Sequence, residues 1–505
     1  MTLPHSISVG GVAGDMTPIF VAGEWRHGEG TPIESRFPAD GTLTATVAAA
    51  SSADVEAAVA AGKQAMRDPG WANLKPHERA GYLHAIAEEL RKRAETIAQT
   101  QTLDTGKTLT ETRALVASAA GTFRYFAAAL ETHEEELTPQ RGDYLTMSVH
   151  EPMGVIAAIT PWNSPIASDA QKVAPALAAG NAVVLKPSSW SPLVCLELAR
   201  AIEAAGLPRG LFSALPGAGR EVGDTLIRHP DIAKVSFTGG TATGKRIAHV
   251  AADKMMPVSL ELGGKSPTIV FADADHEQAI AGILFGIFSS SGQSCIAGSR
   301  LFVEAPIYDA FVDRLVRATE ALRVGHPHDP ATQVAPLITA EHRDSVAGYV
   351  DVARQEGGWV LTGGGAPQGP DYDRGTYYRP TVVAGLGNDS RTAREEIFGP
   401  VLVVMPFKDE EDLIAQANDS VYGLASGIWS KDYRRIWRVA RRLETGMVWI
   451  NTYKQFSIST PFGGIKDSGV GREKGRLGIR QYMNQKSLYW GLGDGPLPWA
   501  GPVPE

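Results

Sequence analysis

From residue 154 onward the apolar positions fall into two kinds of run that alternate along the chain. Short β-branched stretches, GVIAAIT at 154–160 and AVVLKP at 182–187, flank an alanine-rich stretch with helical spacing, SDAQKVAPALAAG at 168–180. The strands are apolar throughout instead of alternating, the mark of a parallel sheet covered by helices on both faces. The pattern continues with a helix over 191–205, a strand near 211–215, a helix over 220–229 and a strand over 233–237. Gly180 and Gly206-Leu207-Pro208 stand where helices stop. A second alternating block opens with PTIVF at 267–271, passes through an apolar helix around 280–288 and reaches RLFVEA at 300–305, predicting a second α/β unit.

Upstream, 52–130 reads as consecutive helices rich in alanine, glutamate and arginine that pack beside the first sheet. Two isolated extended stretches, DYLTMSVHEP at 143–152 and SLYWGL at 487–492, are suited to pairing with each other or with a partner subunit's sheet edge. A proline-rich tail follows the second.

Composition narrows the class. A chain of 505 residues exceeds what one core supports, so two or three domains are expected. Hydrophobic residues at 43% and charged residues at 21% exclude disorder and fibrous repeats. A net charge of −8 with both signs interspersed leaves no basic stripe for nucleic acid. No stretch approaches the roughly 18 apolar residues that span a bilayer. The opening MTLPHSISVGGVAGDM lacks a basic residue followed by an apolar core. The expectation is a cytoplasmic protein with no membrane partner. The two cysteines, Cys195 and Cys295, are too few for a disulfide framework and lack metal-ligand spacing, so no metal is expected.

Surroundings separate the two thiols. Cys195 sits in PLVCLELARAIEAAG with apolar neighbours at helical spacing and reads as core. Cys295 follows the abrupt polar run SSSGQS and precedes Ile296-Ala297-Gly298, where a substrate and backbone donors can reach it. Glu261, between leucines and just before Gly263-Gly264, is either a desolvated carboxylate raised toward the range of a general base or a side chain facing solvent from an edge strand. The turn Thr238-Gly239-Gly240-Thr241-Ala242-Thr243-Gly244, leading into a helix over 245–252, is either a phosphate cradle or a plain tight turn.

These pieces resemble the aldehyde dehydrogenase superfamily, and the resemblance runs in order over nearly the whole chain. Its motifs are PWN (161–163), LKPS (185–188), FTGGTATG (237–244), LELGGKSP (260–267), GQSCIAGSR (292–300), EEIFGP (395–400) and PFGGIKDSGVGRE (461–473). The resemblance implies a Rossmann-like NAD(P)-binding domain from 1–130 and 151–261, a second α/β catalytic domain over 262–473, and a small β oligomerisation element from 131–150 and 474–505. It implies a homodimer or homotetramer that oxidises an aldehyde to a carboxylic acid through a cysteine thiohemiacetal and thioester.

By the same resemblance Cys295 is the nucleophile and Glu261 the base, while Asn163 holds the oxyanion together with the Cys295 backbone N–H. On the cofactor side, Lys186 and Glu396 meet ribose hydroxyls, Phe398 packs near the nicotinamide ribose, and Gly239 and Gly240 lie beside the pyrophosphate. Thr160, Trp162, Ser188, Ser189, Gly219, Thr238 and Leu262 complete that side. From the residues alone, Lys186 could instead cap a strand end and Phe398 could be core.

Two departures from the family pattern matter. Ser189 stands where many NAD-preferring members carry a glutamate that repels a 2′-phosphate, so either NAD or NADP is expected to serve. The channel carries Ser164 and Ser168 where members acting on simple apolar aldehydes often carry bulky apolar or aromatic residues, so a wider or more polar tunnel is expected, with Ser294 on it and Phe456 and Phe462 as apolar walls. Lys454 either meets a carboxylated or polar substrate there or is a solvated loop lysine. Two other functions stay open: acyl transfer to coenzyme A by a semialdehyde dehydrogenase, whose members commonly lack a base at the Glu261 position, and a catalytically silent structural relative.

Overall fold

The computed structural model describes residues 16–495 and Trp499; residues 1–15 and most of the proline-rich tail, expected in the first domain and the oligomerisation element, lie outside them. Two large sheets dominate, each parallel at its centre because helices connect successive strands. In the first, Val155–Ile159 is flanked by Ala182–Lys186 and Ile232–Thr238. The sheet extends through Phe212–Ala214 on one side and Val258–Glu261 on the other. The chain builds outward from Val155–Ile159 in one direction and then returns to build in the other. Such a reversal opens a crevice at the carboxyl ends of the strands, where ligands of open α/β sheets bind.

The expected helices of 52–130 form as Ser52–Ala65, Pro69–Ala72, Pro76–Lys92, Ala94–Thr105 and Leu109–Glu131, and they share one large core with the first sheet. Cys195 lies fully buried in that core, on helix Val194–Ala204. Two elements differ from the sequence expectation. The helix after the glycine turn begins at Thr241, with Gly240 as its N-cap, so its free N–H groups open directly on the turn. The segment expected as one helix over 220–229 is a π-helical turn, Gly219–Gly223, followed by Asp224–Arg228.

The second sheet contains Pro267–Val270, Arg300–Glu304, Val401–Phe407, Thr381–Ala384, Ala425–Trp429 and Met447–Ile450 in parallel, with Trp359–Thr362 antiparallel at one edge. Separate apolar clusters fill its two faces. The extended stretches pair with each other: Tyr144–Pro152 and Met483–Gly491 run antiparallel, from Met483 against Pro152 to Gly491 against Tyr144. One contribution crosses between units. Gly469–Val470, late in the chain, pairs antiparallel with Leu260 and Glu261 and becomes the outer strand of the first sheet. No helix among the described residues is long and apolar enough to cross a membrane.

Arg300 ties the second sheet to its surrounding loops. Its guanidinium is buried and donates from Nε to Lys265 O at 2.9 Å, from Nη1 to Asn388 Oδ1 at 2.9 Å, and from Nη2 to Ala417 O at 2.9 Å. Burial lowers its pKa to about 10, still well above neutrality. Replacing it with methionine leaves those acceptors orphaned in the interior, so Arg300→Met is expected to lose about 3 kcal/mol of stability. A drop in the urea midpoint at unchanged slope is the measurement; a midpoint within error of the parent contradicts the assignment.

Candidate active site

Four strand ends of the first sheet meet at one edge. The residues after Ile159, Lys186, Thr238 and Glu261 line a cleft of about 470 Å³. Its far wall comes from the second unit and includes Cys295, His342, Glu396 and Phe398. Thr160, Trp162, Lys186, Ser188, Ser189, Gly219, Thr238, Gly239, Gly240, Leu262, Glu396 and Phe398 all line this cleft, as do Asn163, Glu261 and Cys295.

The run before Cys295 is strained and then pinned. Ser290 and Ser291 both adopt left-handed φ of 55°, which costs non-glycine residues about 1 kcal/mol each. Hydrogen bonds offset that strain: Ser290 donates from its backbone N–H to Glu111 Oε1 at 2.7 Å, and the Ser291 hydroxyl donates to Ala335 O at 2.6 Å. Gln293 accepts from the Ile338 N–H at 2.9 Å and, through its own carbonyl, from the Asn163 amide at 3.0 Å. The polar run is thus the clamp that fixes the thiol's loop, and it brings Asn163 beside that loop. Gly264 closes the other side: a Cβ there would lie 2.3 Å from the Cys295 carbonyl oxygen.

Cys295 is half-buried, and its thiol is pushed up to about 12 by burial and by the carboxylates of Glu396 and Glu261, with Lys454 opposing. Glu261 is buried, and the solvent-facing alternative does not hold, because Gly469–Val470 covers the outer side of its strand. Gly463, at φ 150°, makes room for it: a Cβ there would lie 2.7 Å from Oε1. Burial, then the negative charge of Glu473, holds the Glu261 carboxyl well above the usual range. Its Oε2 has no hydrogen-bond partner among the described residues. Glu473 is tied to the buried ammonium of Lys172, which also donates to Ser236 Oγ at 3.2 Å.

Among the residues expected to meet the cofactor, Lys186 is buried, donates to Pro187 O at 2.8 Å and is lowered by burial to about 8. Glu396 accepts from the Gly264 N–H at 2.9 Å and is raised by burial to about 7. Phe398 is not core: it stands edge-on to Trp162 at 5.2 Å, within a group that includes Trp190 and His342. Ser189 Oγ donates to Gly217 O at 3.3 Å, and the Ser188 hydroxyl accepts from the Trp190 N–H. The site fits a nicotinamide dinucleotide: a helix N-terminus at Gly240 faces the cleft for an anion, and Gly240 and Gly219 leave open space beside it.

The expected substrate residues do not line this cleft. Ser164 and Ser168 face each other across the first turn of helix Pro165–Ala178, Oγ to Oγ at 3.0 Å. Ser294 directly precedes the thiol, with its N–H bonded to Gly292 O. Phe462 packs with Cys295 on a small cluster of Ile296, Leu424, Trp449 and Tyr453, and Phe456 lies against both Trp449 and Phe462. Lys454 is not a solvated loop lysine: burial lowers it to about 7, and its Nζ donates to Ser289 Oγ at 2.9 Å.

A profile described as the Aldehyde dehydrogenase family matches residues 25–488. The chain belongs to the aldehyde dehydrogenase family. It is 41% identical to a betaine aldehyde dehydrogenase of Bacillus subtilis (strain 168), over 93% of this chain and 96% of that one. With betaine aldehyde dehydrogenase 1 of Rhizobium meliloti (strain 1021) the identity is 43%, over 95% and 98%. The crystal structure of a Staphylococcus aureus betaine aldehyde dehydrogenase in complex with NAD+ superimposes with a TM-score of 0.94 at 36% identity, over 96% of each chain. An NAD+ complex of a Bacillus cereus aldehyde dehydrogenase gives 0.92 at 36%, over 95% and 97%. This aldehyde dehydrogenase is accordingly an NAD(P)-dependent oxidoreductase that converts an aldehyde to an acid.

Sequence reasoning missed Lys172, Glu473, Trp190, His342 and Arg246. Arg246 follows from the glycine turn once its helix is started at Thr241, since it then lies on the second turn. His342 carries no local signal, because only tertiary packing brings it to Trp162.

Because the thiol lies far above neutrality, the thiolate fraction grows about tenfold per pH unit across pH 7 to 9. Iodoacetamide is expected to label Cys295 with that slope and to leave Cys195 unmodified in the folded enzyme, read by peptide mass spectrometry. A rate flat above pH 7 contradicts the raised thiol.

Proposed function

We propose that Cys295 is the nucleophile, Asn163 an oxyanion donor and Glu261 the base that activates water, within a cofactor domain formed by 1–130 and 151–261 and a catalytic domain formed by 262–473. The observation that carries this reading is that all three side chains line the same cleft as the expected cofactor residues. Thiolate addition to the aldehyde carbonyl makes a tetrahedral centre whose oxygen gains negative charge. The Asn163 amide has a second N–H beyond the one given to Gln293 O, and a donor fixed on such an oxygen is worth about 3 kcal/mol. When bound, the nicotinamide accepts the hydride released as the thioester forms. Glu261, desolvated and raised, then takes a proton from the water that attacks the thioester. That buried carboxylate favours water over coenzyme A as the acyl acceptor.

Lys186 and Glu396 would hold ribose hydroxyls, with Phe398 and Trp162 packing the nicotinamide end and Gly239 and Gly240 beside the pyrophosphate. Ser164, Ser168, Ser294, Phe456, Phe462 and Lys454 would form the aldehyde side. NADP is accepted alongside NAD, because Ser189 carries no charge to repel a 2′-phosphate and Arg246 lines the same cleft, although Asp224 shares its charge at 2.7 Å. The paired strands Tyr144–Pro152 and Met483–Gly491, with exposed Leu488, Tyr489 and Trp490, would join subunits into a dimer or tetramer. Two free thiols suit the cytoplasm.

Cys295→Ala is expected to abolish NADH formation from butanal. Glu261→Gln is expected to keep a pre-steady-state burst of about one NADH per site while slowing turnover about a hundredfold. Undiminished steady turnover in Glu261→Gln would falsify its role. Separately, Ser189→Glu is expected to raise the NAD/NADP ratio of kcat/KM about tenfold, and an unchanged ratio counts against Ser189 as the determinant.

A further inference from the structure

Phe462 and Glu473 exchange backbone hydrogen bonds at 2.7 and 2.8 Å. This bridge sets the next residue, Lys474, beside the aromatic wall. Glu473 turns to Lys172, whereas Lys474 lies back across the phenyl rings, its Nζ 4.4 Å from the Phe456 centroid and 5.0 Å from that of Phe462. Phe462 packs on the same small cluster as Cys295. Lys454 is bonded to Ser289, the first residue of the turn that leads to the thiol. Both lysines take left-handed φ, 52° and 59°, a conformation that clusters at functional sites when a side chain must be aimed.

Among the described residues neither ammonium forms an ion pair: one donates to a hydroxyl and the other rests on ring faces. The nearby charges do not cancel them. Lys454 sees Glu111, but also Lys107; Lys474 sees Glu473, already held by Lys172, and Glu261. Burial lowers both ammoniums, Lys454 to about 7, and an anion brought by the ligand favours their charged form. The aromatic faces that would otherwise receive a quaternary ammonium already carry this chain's own cation.

We propose that Lys454 and Lys474 make the aldehyde side of this site a cationic pocket that selects aldehydes ending in a carboxylate and rejects those ending in a quaternary ammonium. The proposal rests on aldehyde oxidation at Cys295. It also separates this chain's preference from the compound for which its relatives are named.

Three probes of similar length test it: succinic semialdehyde as the anion, butanal as the neutral analogue and betaine aldehyde as the cation, each followed by NAD(P)H formation. The parent enzyme is expected to favour the anion over the cation by about a hundredfold in kcat/KM. Lys474→Met and Lys454→Met are each expected to lower the anion-to-neutral ratio about tenfold, mainly through KM, while Lys474→Arg retains it. Glyceraldehyde 3-phosphate, run alongside, separates a carboxylate pocket from a general anion site: turnover equal to the semialdehyde overturns the carboxylate assignment. NAD(P)H from butanal with betaine aldehyde preferred over the semialdehyde overturns the cationic pocket alone. No NAD(P)H from any probe overturns aldehyde oxidation as well.

Discussion

The backbone of Gly264 runs so close to the Cys295 carbonyl that not even a methyl group fits between them. Everything in the site hangs on that contact. Glu261 ends a strand of the first sheet and Pro267 begins one of the second, so the chain crosses between the two units in residues 262–266. The crossing brings the carboxylate and the thiol's loop together, and Glu396 reinforces it by accepting from the Gly264 N–H. Such a crossing lets two separately packed cores hold the carboxylate and the thiol's loop in fixed relation.

The same region concentrates unmet polarity. Glu261 Oε2, Ser259 Oγ, Lys265 Nζ and Ser266 Oγ are all buried without a partner among the described residues, on or beside this one segment. Orphaned groups of this kind are rare in interiors, and these four fall within residues 259–266. Their cost is carried by the large cores on either side.

Much of the architecture was legible because it rests on local pattern. The β-branched runs from 154 to 237 form the central strands, and the 143–152 and 487–492 stretches pair with each other. The ordered motifs led to the cleft-lining residues for the same reason: glycine turns at strand ends are local. What stayed ambiguous depended on distant chain. Whether Glu261 faced solvent turned on Gly469–Val470, some two hundred residues later. Lys454 looked like a loop lysine because nothing nearby foretold burial against Ser289 and its turn. The serine run before Cys295 gave only an impression of openness, whereas its partners, Glu111 on helix Leu109–Glu131 and Ala335 on a later loop, make it a clamp.

That dependence on late residues bears on how the enzyme comes into being at the ribosome. Synthesis proceeds from the N-terminus at about 5–20 residues per second, and early units fold as they emerge. The strands of the first sheet and the thiol's loop are therefore synthesised before Gly463, Gly469–Val470 and Glu473, which roof the Glu261 pocket, and before Ile479, Tyr482 and Met483, which complete that sheet's core. Until those residues arrive, neither the strand that covers Glu261 nor the charge of Glu473 beside it is in place. A nascent or prematurely stopped chain thus carries its cysteine while the Glu261 pocket still lacks its roof, and the site is complete only when the polypeptide is nearly finished.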